Sequence, residues 1–423
     1  MIKNTDNTQY KNLVVKNNYS EAELCNINFD NAATTPPFVP VMEAVNEFAL
    51  CYSSVHRGAG RKAERTSEMF DSVREYVADF FNVSKADQTV LFTRNTTESI
   101  NRLSNILASA GRKTVLVSGM EHHSNDLPWR RNFNVVYINT DRTGRLDLND
   151  FEEKCRLYSG DLRLVAVTGA SNVTGYVNPI YEIAVTAHRC GAEILVDAAQ
   201  LAPHMRVNMN PPETDRRIDY MAFSGHKLYA PFGTGVLIGN KHVFENNPPD
   251  LSGGGTADIV TYDSVVWHDI PLKYEAGTPN VMGIVALGAA LRTLNDIGMG
   301  KVHEYEQKLA AYAYRRLSEV KNICIYSDQY DKAVNIGVIP FNIYGIHHSE
   351  LAAHLAFNGG IDVRSGCFCA QPYVQKLLDI SSDEVVKYSS LSQDKRPGMV
   401  RVSFGLYNTE AEIDHLYDVL ADC

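Results

Sequence analysis

The stretch that decides the fold is Phe223-Ser224-Gly225-His226-Lys227-Leu228-Tyr229-Ala230-Pro231, closed by Gly233-Thr234-Gly235. A short apolar run at residues 220–223 predicts a strand before it, and a second run at residues 235–238 predicts a strand after it. Lys227 is therefore predicted at the tip of a tight turn between two strands. Rigid backbone on both sides suits a nucleophilic amine that forms a Schiff base with a carbonyl cofactor. Charged turn residues are usually plain surface, so this stretch alone favours a solvated hairpin lysine.

A buried-strand pattern upstream, Glu193-Ile194-Leu195-Val196-Asp197-Ala198-Ala199-Gln200, reaches a carboxylate and continues with small residues and a glutamine. The carboxyl end of a parallel strand is where open α/β sheets bind ligands. Pyridoxal phosphate (PLP) requires a Schiff-base lysine and an acid that keeps its ring nitrogen protonated, so that the ring acts as an electron sink. Lys227 and Asp197 supply that pair, and Gln200 is placed to hydrogen-bond the ring hydroxyl.

The chain resembles the class V aminotransferase group of PLP enzymes, and within it the group II cysteine desulfurase and selenocysteine lyase family. The resemblance runs from about Asn28 to the C-terminus. Besides the Asp197 and Lys227 stretches, the matching motifs are Phe29-Asp30-Asn31-Ala32-Ala33-Thr34-Thr35, His56-Arg57-Gly58, Thr96-Thr97-Glu98, Glu121-His122-His123-Ser124-Asn125, Ser171-Asn172-Val173-Thr174-Gly175, Glu275-Ala276-Gly277-Thr278-Pro279-Asn280 and Arg364-Ser365-Gly366-Cys367-Phe368-Cys369-Ala370.

This resemblance implies an α/β fold, the PLP-dependent transferase fold type I. Its large domain has a mainly parallel seven-stranded sheet, and a smaller C-terminal α+β domain follows. We expect a lead-in at residues 1–26, the large PLP-binding domain at 27–300, and a small domain at 301–423 that carries the catalytic cysteine and the substrate arginine.

The hydrophobic pattern agrees with alternating strands and helices, which predicts a parallel sheet covered on both faces. Strands are predicted at residues 90–93, 114–118, 135–139, 164–168, 194–197 and 221–224. Helices are predicted at residues 39–51, 61–81, 98–110 and 180–190. After Gly298-Met299-Gly300 we expect a long helix at 302–320, strands at 335–341 and 399–404, and a last helix from Thr409, whose spacing to Glu412 fits a capping box.

Composition limits the class of protein. The chain has 423 residues, a formal net charge of −10 and a pI near 5.7, which argues against a nucleic-acid surface. The polar first 23 residues show no secretory signal, and no apolar run approaches the roughly 18 residues of a membrane span. The eight cysteines are scattered without a disulfide framework, so we expect a cytoplasmic, reducing location.

Residues Thr96 and Thr97 follow a predicted strand and open a helix, where free backbone N–H groups favour a phosphate. Ordinary N-capping by threonine is the alternative. The resemblance implies that this loop holds the cofactor phosphate together with Ser224 and His226. It also implies that Thr278 reaches the phosphate from the neighbouring subunit, which requires a homodimer.

His122 follows another predicted strand, where a lone histidine is usually structural or solvated. The resemblance implies that its imidazole stacks on the cofactor ring and leaves a nitrogen for proton transfer, with a pKa suited to neutral pH. The resemblance alone favours His122 over His123 for this role. We expect Asn172 to contact the ring or the substrate carboxylate.

Arg401 interrupts the strand-like run Val400-Arg401-Val402-Ser403-Phe404. A half-buried arginine needs a partner, and a carboxylate bound through two parallel hydrogen bonds suits it best. The resemblance implies that this partner is the α-carboxylate of an amino acid. The alternative is a salt bridge with an acid of the protein.

The pair Cys367-Phe368-Cys369 is a weak signal alone, because it fits buried packing, half of a metal site or a redox pair. No second cysteine pair or suitably spaced histidine pair accompanies it, so we predict no metal site. The resemblance places the nucleophilic thiol at Cys369, with its pKa lowered by Arg364 or nearby imidazoles. An extended strand would put Cys367 on the same face, where we hypothesise an auxiliary thiol, with packing as the alternative.

Two features depart from the group II pattern. Cys367 and Phe368 stand where members commonly carry histidines, which is closer to molybdenum-cofactor sulfurases. The segment from Cys369 to Arg401 is also longer, with a polar insertion at residues 381–395.

We interpret the sequence as a homodimeric PLP enzyme that takes sulfur from L-cysteine, forming alanine and a persulfide on Cys369 for a sulfur-acceptor protein. The alternatives are a selenocysteine lyase, or another class V enzyme such as a β-lyase, epimerase or aminotransferase. A non-catalytic carrier is disfavoured by the intact Lys227, Asp197 and Arg401.

Overall fold

The computed structural model describes residues 10–15, 27–109, 111–328 and 335–423. The strands are β1 Ile27–Asn28, β2 Gln88–Thr93, β3 Thr114–Ser118, β4 Asn134–Ile138, β5 Leu162–Thr168, β6 Glu193–Asp197, β7 Tyr220–Ser224, β8 Gly235–Asn240, β9 Ala257–Val260, β10 Val265–Trp267, β11 Ile323–Ile325, β12 Val338–Ile343, β13 Ile361–Asp362, β14 Arg364–Gly366 and β15 Met399–Ser403. The helices are α1 Val39–Ala49, α2 Arg61–Phe80, α3 Thr96–Leu107, α4 Leu127–Asn132, α5 Leu148–Tyr158, α6 Ile180–Arg189, α7 Leu201–His204, α8 Lys241–Asn246, α9 Val281–Ile297, α10 Met299–Ser318, α11 His348–Phe357, α12 Gln371–Leu377, α13 Ser382–Tyr388 and α14 Glu410–Ala421.

The central sheet has seven strands in the order β2-β8-β7-β6-β5-β3-β4. The pairs from β7 through β6, β5 and β3 to β4 are parallel, while β8 runs antiparallel to both of its neighbours. The prediction of an α/β fold with a mainly parallel seven-stranded sheet is therefore confirmed. Parallel strands bring their carboxyl ends to one edge of the sheet, and that edge positions the site.

Both faces of this sheet are buried, because successive side chains of a strand point to opposite faces. In β5, Val165 and Val167 pack in one apolar cluster with helices α1, α2, α6 and α9. Leu164 and Ala166 pack in another cluster with α3, α4 and α8. Continuous apolar strands of this kind are typical of a sheet covered on both sides.

A second sheet, antiparallel and in the order β11-β12-β15-β14, lies in the C-terminal part. It has its own apolar cluster, which includes side chains of α10, α11 and α14. Phe29 belongs to this cluster, and β1 pairs with β13. Residues 27–29 thus pack with the C-terminal layer although they precede the central sheet in the chain. The domain boundary at residue 300 stays a prediction.

Most predicted elements are present, with ends shifted by a few residues. The long helix after Gly298 starts earlier than predicted, at Met299, and the capping box of Thr409 and Glu412 is confirmed. The sequence analysis missed α9. Of the predicted lead-in, residues 1–9 and 16–26 lie outside the described residues, as does Ala110, the predicted end of a helix.

Within the described ranges, no single helix is both long and apolar enough to cross a membrane, although α9 and α10 pass that test as a pair bent by 79°.

Candidate active site

A cavity of about 560 Å³ opens at the carboxyl ends of the central strands. Its walls include the last residues of β5, β6 and β7, which are Thr168, Asp197 and Ser224. All predicted site residues except Thr278 line it, and these are Thr96, Thr97, His122, Asn172, Asp197, Gln200, Ser224, His226, Lys227, Cys369 and Arg401.

Lys227 ends a short 3₁₀ turn, Gly225–Lys227, directly after β7. The connection to β8 continues to residue 234, so it is longer than the tight turn we predicted. Burial, opposed by the Asp197 carboxylate, lowers the pKa of the Lys227 amine to about 8. Such an amine is more readily deprotonated than a surface lysine, which favours nucleophilic chemistry.

Asp197 is buried and accepts a hydrogen bond from the backbone N–H of Ala199 at 2.9 Å. Burial raises its pKa, while the neighbouring Lys227 opposes that effect. A buried carboxylate needs a cationic or donor partner. Asp197 therefore offers the cavity an acceptor for a protonated ring nitrogen.

Gln200 donates through Nε2 to the backbone oxygen of Ala32 at 2.6 Å, while its Oε1 is buried without a hydrogen-bond partner among the described residues. An unsatisfied buried polar atom is unusual and costs free energy unless a ligand or water satisfies it. Together with the amine of Lys227 and the carboxylate of Asp197, this amide fits the polar groups of a PLP ring.

The loop that opens α3 is joined to the end of β7. Thr96 donates its backbone N–H to Ser224 Oγ at 2.8 Å, and the two hydroxyls lie 2.7 Å apart. Asn95 caps the helix by accepting from the N–H of Glu98. Thr96 and Thr97 are thus the first two residues of a helix that faces the cavity, which is the geometry that suits an anion.

The His122 ring has a defined tautomer. Its Nδ1 accepts a hydrogen bond from the backbone N–H of Ser124 at 3.1 Å, so the neutral ring carries its proton on Nε2. The Ser124 hydroxyl lies 2.9 Å from the same Nδ1 and 2.6 Å from Thr97 Oγ1. Burial, with a contribution from Lys227, lowers the pKa of His122 to about 3. The expectation that this pKa lies near neutral pH is wrong, because the ring is withdrawn from water beside a cation.

Arg401 is buried and has a partner within the protein. Its Nη2 donates to Asp30 Oδ1 at 3.0 Å, and its Nη1 donates to the backbone oxygen of Asn172 at 2.8 Å. Arg364 Nε lies 3.4 Å from the other Asp30 oxygen. The salt bridge that we gave as the alternative is therefore present. Arg401 Nε, however, is buried without a hydrogen-bond partner in the described part of the chain.

The thiol of Cys369 is carried by a turn. Ala370 donates its N–H to the carbonyl of Cys367 at 2.8 Å, and the two central residues, Phe368 and Cys369, have φ values of 51° and 54°. Two successive left-handed residues favour glycine, asparagine or aspartate, so phenylalanine and cysteine here cost roughly 1–3 kcal/mol each. The expected extended strand is wrong, since β14 ends at Gly366.

Contacts from distant segments hold this strained turn. Asn172 Nδ2 donates to the carbonyl of Phe368 at 2.8 Å, and Arg401 lies over the Phe368 ring at 5.0 Å. The backbone N–H of His123 donates to the carbonyl of Cys369 at 2.6 Å. The Asn172 side chain is thus committed to the turn that carries Cys369, a contact that the sequence analysis did not foresee.

Cys367 and Cys369 face different spaces. Cys369 is exposed at the main cavity, whereas Cys367 lines a separate cavity of about 130 Å³ and donates to the carbonyl of Pro397 at 3.4 Å. Burial raises the pKa of the Cys367 thiol. The predicted insertion forms part of this second cavity, with Val385 and Tyr388 of α13 in its wall.

Thr278 lies outside the cavity and is exposed. The nearby hairpin of β9 and β10 exposes apolar side chains, with Ile259 57% and Val260 67% exposed. Whether Thr278 reaches a phosphate in a partner subunit stays a prediction.

Sequence reasoning also missed the role of Glu121 behind the site. This buried carboxyl accepts hydrogen bonds from the backbone N–H of Thr168 at 2.6 Å, from Asn125 Nδ2 at 2.8 Å and from the Ser118 hydroxyl. Burial, with a contribution from Asp197, raises its pKa to about 8. Glu121 ties the His122 loop to β3 and β5. Glu121 and Asp30 lie in two of the matched motifs, but the sequence analysis assigned a function to neither.

Within the described residues, no cluster of three or more His, Cys, Asp or Glu side chains is arranged to hold a metal ion. The seven described cysteines are unpaired, and Cys25 lies outside the described residues.

The comparisons with known proteins agree with this geometry. Residues 27–416 match the family model described as aminotransferase class-V. A probable cysteine desulfurase of Halalkalibacterium halodurans is 36% identical over 403 residues, covering 92% of this chain and 91% of that protein. A cysteine desulfurase of Escherichia coli is 35% identical over 401 residues, covering 92% and 90%.

Solved structures extend the likeness to three dimensions. The apo structure of a cysteine desulfurase from Thermococcus onnurineus superposes with a TM-score of 0.83 at 33% identity and covers 94% of each chain. A cysteine desulfurase from Escherichia coli gives a TM-score of 0.79 at 30% identity, again covering 94% of each chain. The chain thus belongs to the class V aminotransferase family.

Proposed function

We propose that this protein is a PLP-dependent cysteine desulfurase. The reaction would convert L-cysteine to L-alanine, and the sulfur atom of the substrate would pass to the Cys369 thiol, which becomes a persulfide. The observation that carries this proposal is that a buried lysine, a buried arginine and an exposed cysteine, namely Lys227, Arg401 and Cys369, line one cavity. The desulfurase relatives support the same reaction.

The cofactor site is proposed from residues whose polar groups face the cavity. Lys227 would bond to the aldehyde carbon of PLP. Asp197 would pair with the ring nitrogen, and Gln200 would hydrogen-bond the ring hydroxyl. Thr96, Thr97, Ser224 and His226 would surround the phosphate. Bound there, PLP supplies an electron sink for the bonding electrons at the substrate α-carbon.

Arg401 would orient the substrate. Arg401 lines the cavity with its guanidinium held by Asp30 and the Asn172 carbonyl, and it would supply the positive charge and donors that the substrate carboxylate needs. Burial lowers the pKa of Arg401 to about 10, so the guanidinium stays charged at neutral pH. Asn172 would contribute through the backbone oxygen that fixes Arg401 and through the amide that fixes the turn of Cys369.

Sulfur transfer is proposed as attack by the Cys369 thiolate on the sulfur of the bound cysteine. An S–S bond forms, the C–S bond of the substrate breaks, and the electron pair returns to the substrate carbon, which takes up a proton. His122, with its Nε2–H and a ring that stays neutral at pH 7, is placed to stack on the cofactor and to hold a proton near the reacting atoms.

The assembly and location are proposals of the same kind. We propose a homodimer in which Thr278 of one subunit reaches the phosphate site of the other, supported by the exposed position of Thr278 and the apolar hairpin of β9 and β10. A sulfur-acceptor protein would take the persulfide sulfur. None of the seven described cysteines forms a disulfide, which fits the reducing, cytoplasmic location that we propose.

One product assay tests the reaction. Purified protein loaded with PLP and given L-cysteine plus a thiol reductant is expected to release alanine and sulfide in equal amounts. Parallel reactions with selenocysteine and cystine separate a selenocysteine lyase or a β-lyase from a desulfurase. Pyruvate and ammonia in place of alanine would overturn the proposal.

A further inference from the structure

The two histidines of the Glu121-His122-His123 stretch have different surroundings. His122 lines the cofactor cavity, whereas His123 is absent from its wall and lies beside the turn that carries Cys369. The rings are 6.4 Å apart between centroids, so they do not stack on each other. His123 therefore requires an explanation of its own.

His123 makes two contacts with the segment of Cys369. Its backbone N–H donates to the carbonyl of Cys369 at 2.6 Å. Its ring Nε2 accepts the backbone N–H of Gln371 at 3.2 Å. One residue thus binds two successive peptide groups, Cys369–Ala370 and Ala370–Gln371, which lead from the thiol into helix α12.

The ring contact acts as a helix cap supplied from a distant segment. Gln371 is the first residue of α12, and the residue before it, Ala370, provides no side-chain cap. The first N–H groups of a helix have no partner within the helix and are satisfied by side chains or water. His123 provides that partner from 248 positions away.

The turn needs such support because its backbone is strained. Phe368 and Cys369 both have positive φ, which persists only where surrounding contacts determine it. Asn172 holds the carbonyl of Phe368, and His123 holds the carbonyl of the next residue. These two contacts hold the two peptide groups that flank the α-carbon of Cys369.

We propose that His123 is a positioning residue for sulfur transfer, holding the Cys369 turn so that its thiol meets the substrate sulfur. This proposal rests on the desulfurase function proposed above. The two neighbouring histidines then have different roles. His122 faces the cofactor cavity, and His123 positions the turn that carries the nucleophile. Misplacement of a reacting atom by about 1 Å can cost about a hundredfold in rate, so loss of the ring should lower kcat more than it raises KM.

The experiment compares His123→Ala with His123→Gln, whose amide oxygen can accept the Gln371 N–H in place of Nε2. In His123→Ala, we expect kcat for alanine formation to fall by about ten- to a hundredfold, with KM for cysteine changed less than about twofold. His123→Gln should recover most of that loss. His415→Ala is the matched control, because that exposed ring hydrogen-bonds the backbone oxygen of Gly359, and neither residue lines the cavity.

A second measurement does not depend on activity. Amide hydrogen exchange of the PLP-loaded protein should be faster across residues 369–373 in His123→Ala and close to wild type in His123→Gln and His415→Ala. Unchanged exchange and kcat in His123→Ala would overturn the proposal, as would equal losses in the alanine and glutamine variants. If the wild type makes no alanine from cysteine, the proposed function fails and the catalytic part of this inference fails with it, whatever the exchange data show.

Discussion

The Asp30 carboxylate and the Arg401 guanidinium, 371 positions apart in the chain, form an ion pair with 3.0 Å between Oδ1 and Nη2. The pair fixes one edge of the guanidinium against the protein. The Asn172 carbonyl holds the guanidinium as well, through Nη1, while Nε is buried without a partner among the described residues. A guanidinium fixed in this way is already oriented for a planar carboxylate.

Replacing Arg401 by alanine should weaken substrate binding and spare the cofactor. A charge-assisted contact is worth roughly 1.5–3 kcal/mol, so KM for cysteine should rise at least about tenfold. The bound PLP, measured by absorbance after release in alkali, should stay at the wild-type level. Arg316→Ala, which removes an ion pair with Asp414 on the C-terminal helices, is the control. An unchanged KM with full PLP content would mean that Arg401 serves only its contacts with Asp30 and Asn172 within the protein.

Lys227→Ala should abolish the covalent link to PLP. Borohydride reduction of the loaded wild type, followed by peptide mapping, should place the label on Lys227. Lys273 is an internal control, because it is also buried but donates to the backbone oxygens of Phe244 and Glu245 outside the cavity. A label on Lys273 or any other lysine would contradict the assignment.

Cys369→Ser should bind PLP and cysteine but form almost no alanine, because a hydroxyl is a far weaker nucleophile than a thiolate at neutral pH. Mass spectrometry of the cysteine-treated wild type should find one extra sulfur atom on the peptide that carries Cys369. Full alanine production by Cys369→Ser would remove the mechanism.

Cys367→Ala is the contrasting variant. Its thiol lines the cavity under α13 and not the main cavity, so single-turnover alanine formation should be unchanged. If Cys367 is an auxiliary thiol, transfer of the persulfide sulfur to an acceptor or reductant should change. Loss of alanine in Cys367→Ala alone would mean that the two roles are reversed.

Glu121 makes stability depend on pH. Its folded-state pKa is raised from 4.5 to about 8, so its stabilising contribution is present below pH 4.5 and is lost as the pH rises through 8. Glu121→Gln keeps the shape and cannot ionise. The free energy of unfolding in urea, measured on both proteins from about pH 5 to 8.5, should therefore rise in the variant relative to the wild type as the pH increases. A constant difference would show that Glu121 is not titrating in this range.

The central strands could be predicted from the sequence, because buried parallel strands are short apolar runs separated by helical patterns. Helix α9 could not be found in that way. It is apolar on almost all sides and contains Gly283 and Gly288, so no polar face marks its period. The useful signal was Asn280, whose side chain accepts the N–H of Gly283 and starts the helix.

The cavity wall was predictable where motifs were present, but its finer geometry was not. Neither Phe368 nor Cys369 favours a left-handed backbone, and the turn is imposed by Asn172 and His123 from far away in the chain. The partner of Arg401 could not be predicted either, because the sequence around Arg401 does not indicate which of the many acidic residues lies beside it. Both relationships depend on tertiary structure that local sequence does not encode.

The position of residues 27–31 has a consequence for biosynthesis. Asn31 Nδ2 donates to the carbonyl of Ser403 and to Asn408 Oδ1, while β1 pairs with β13. This segment leaves the ribosome early, but its partners emerge only near the end of translation. Domains generally fold as units during synthesis, yet contacts of this separation must wait for the whole chain. The Asp30 side of the cavity is therefore completed late, so a ribosome stalled before residue 400 would carry a chain whose cavity lacks its Arg401 wall.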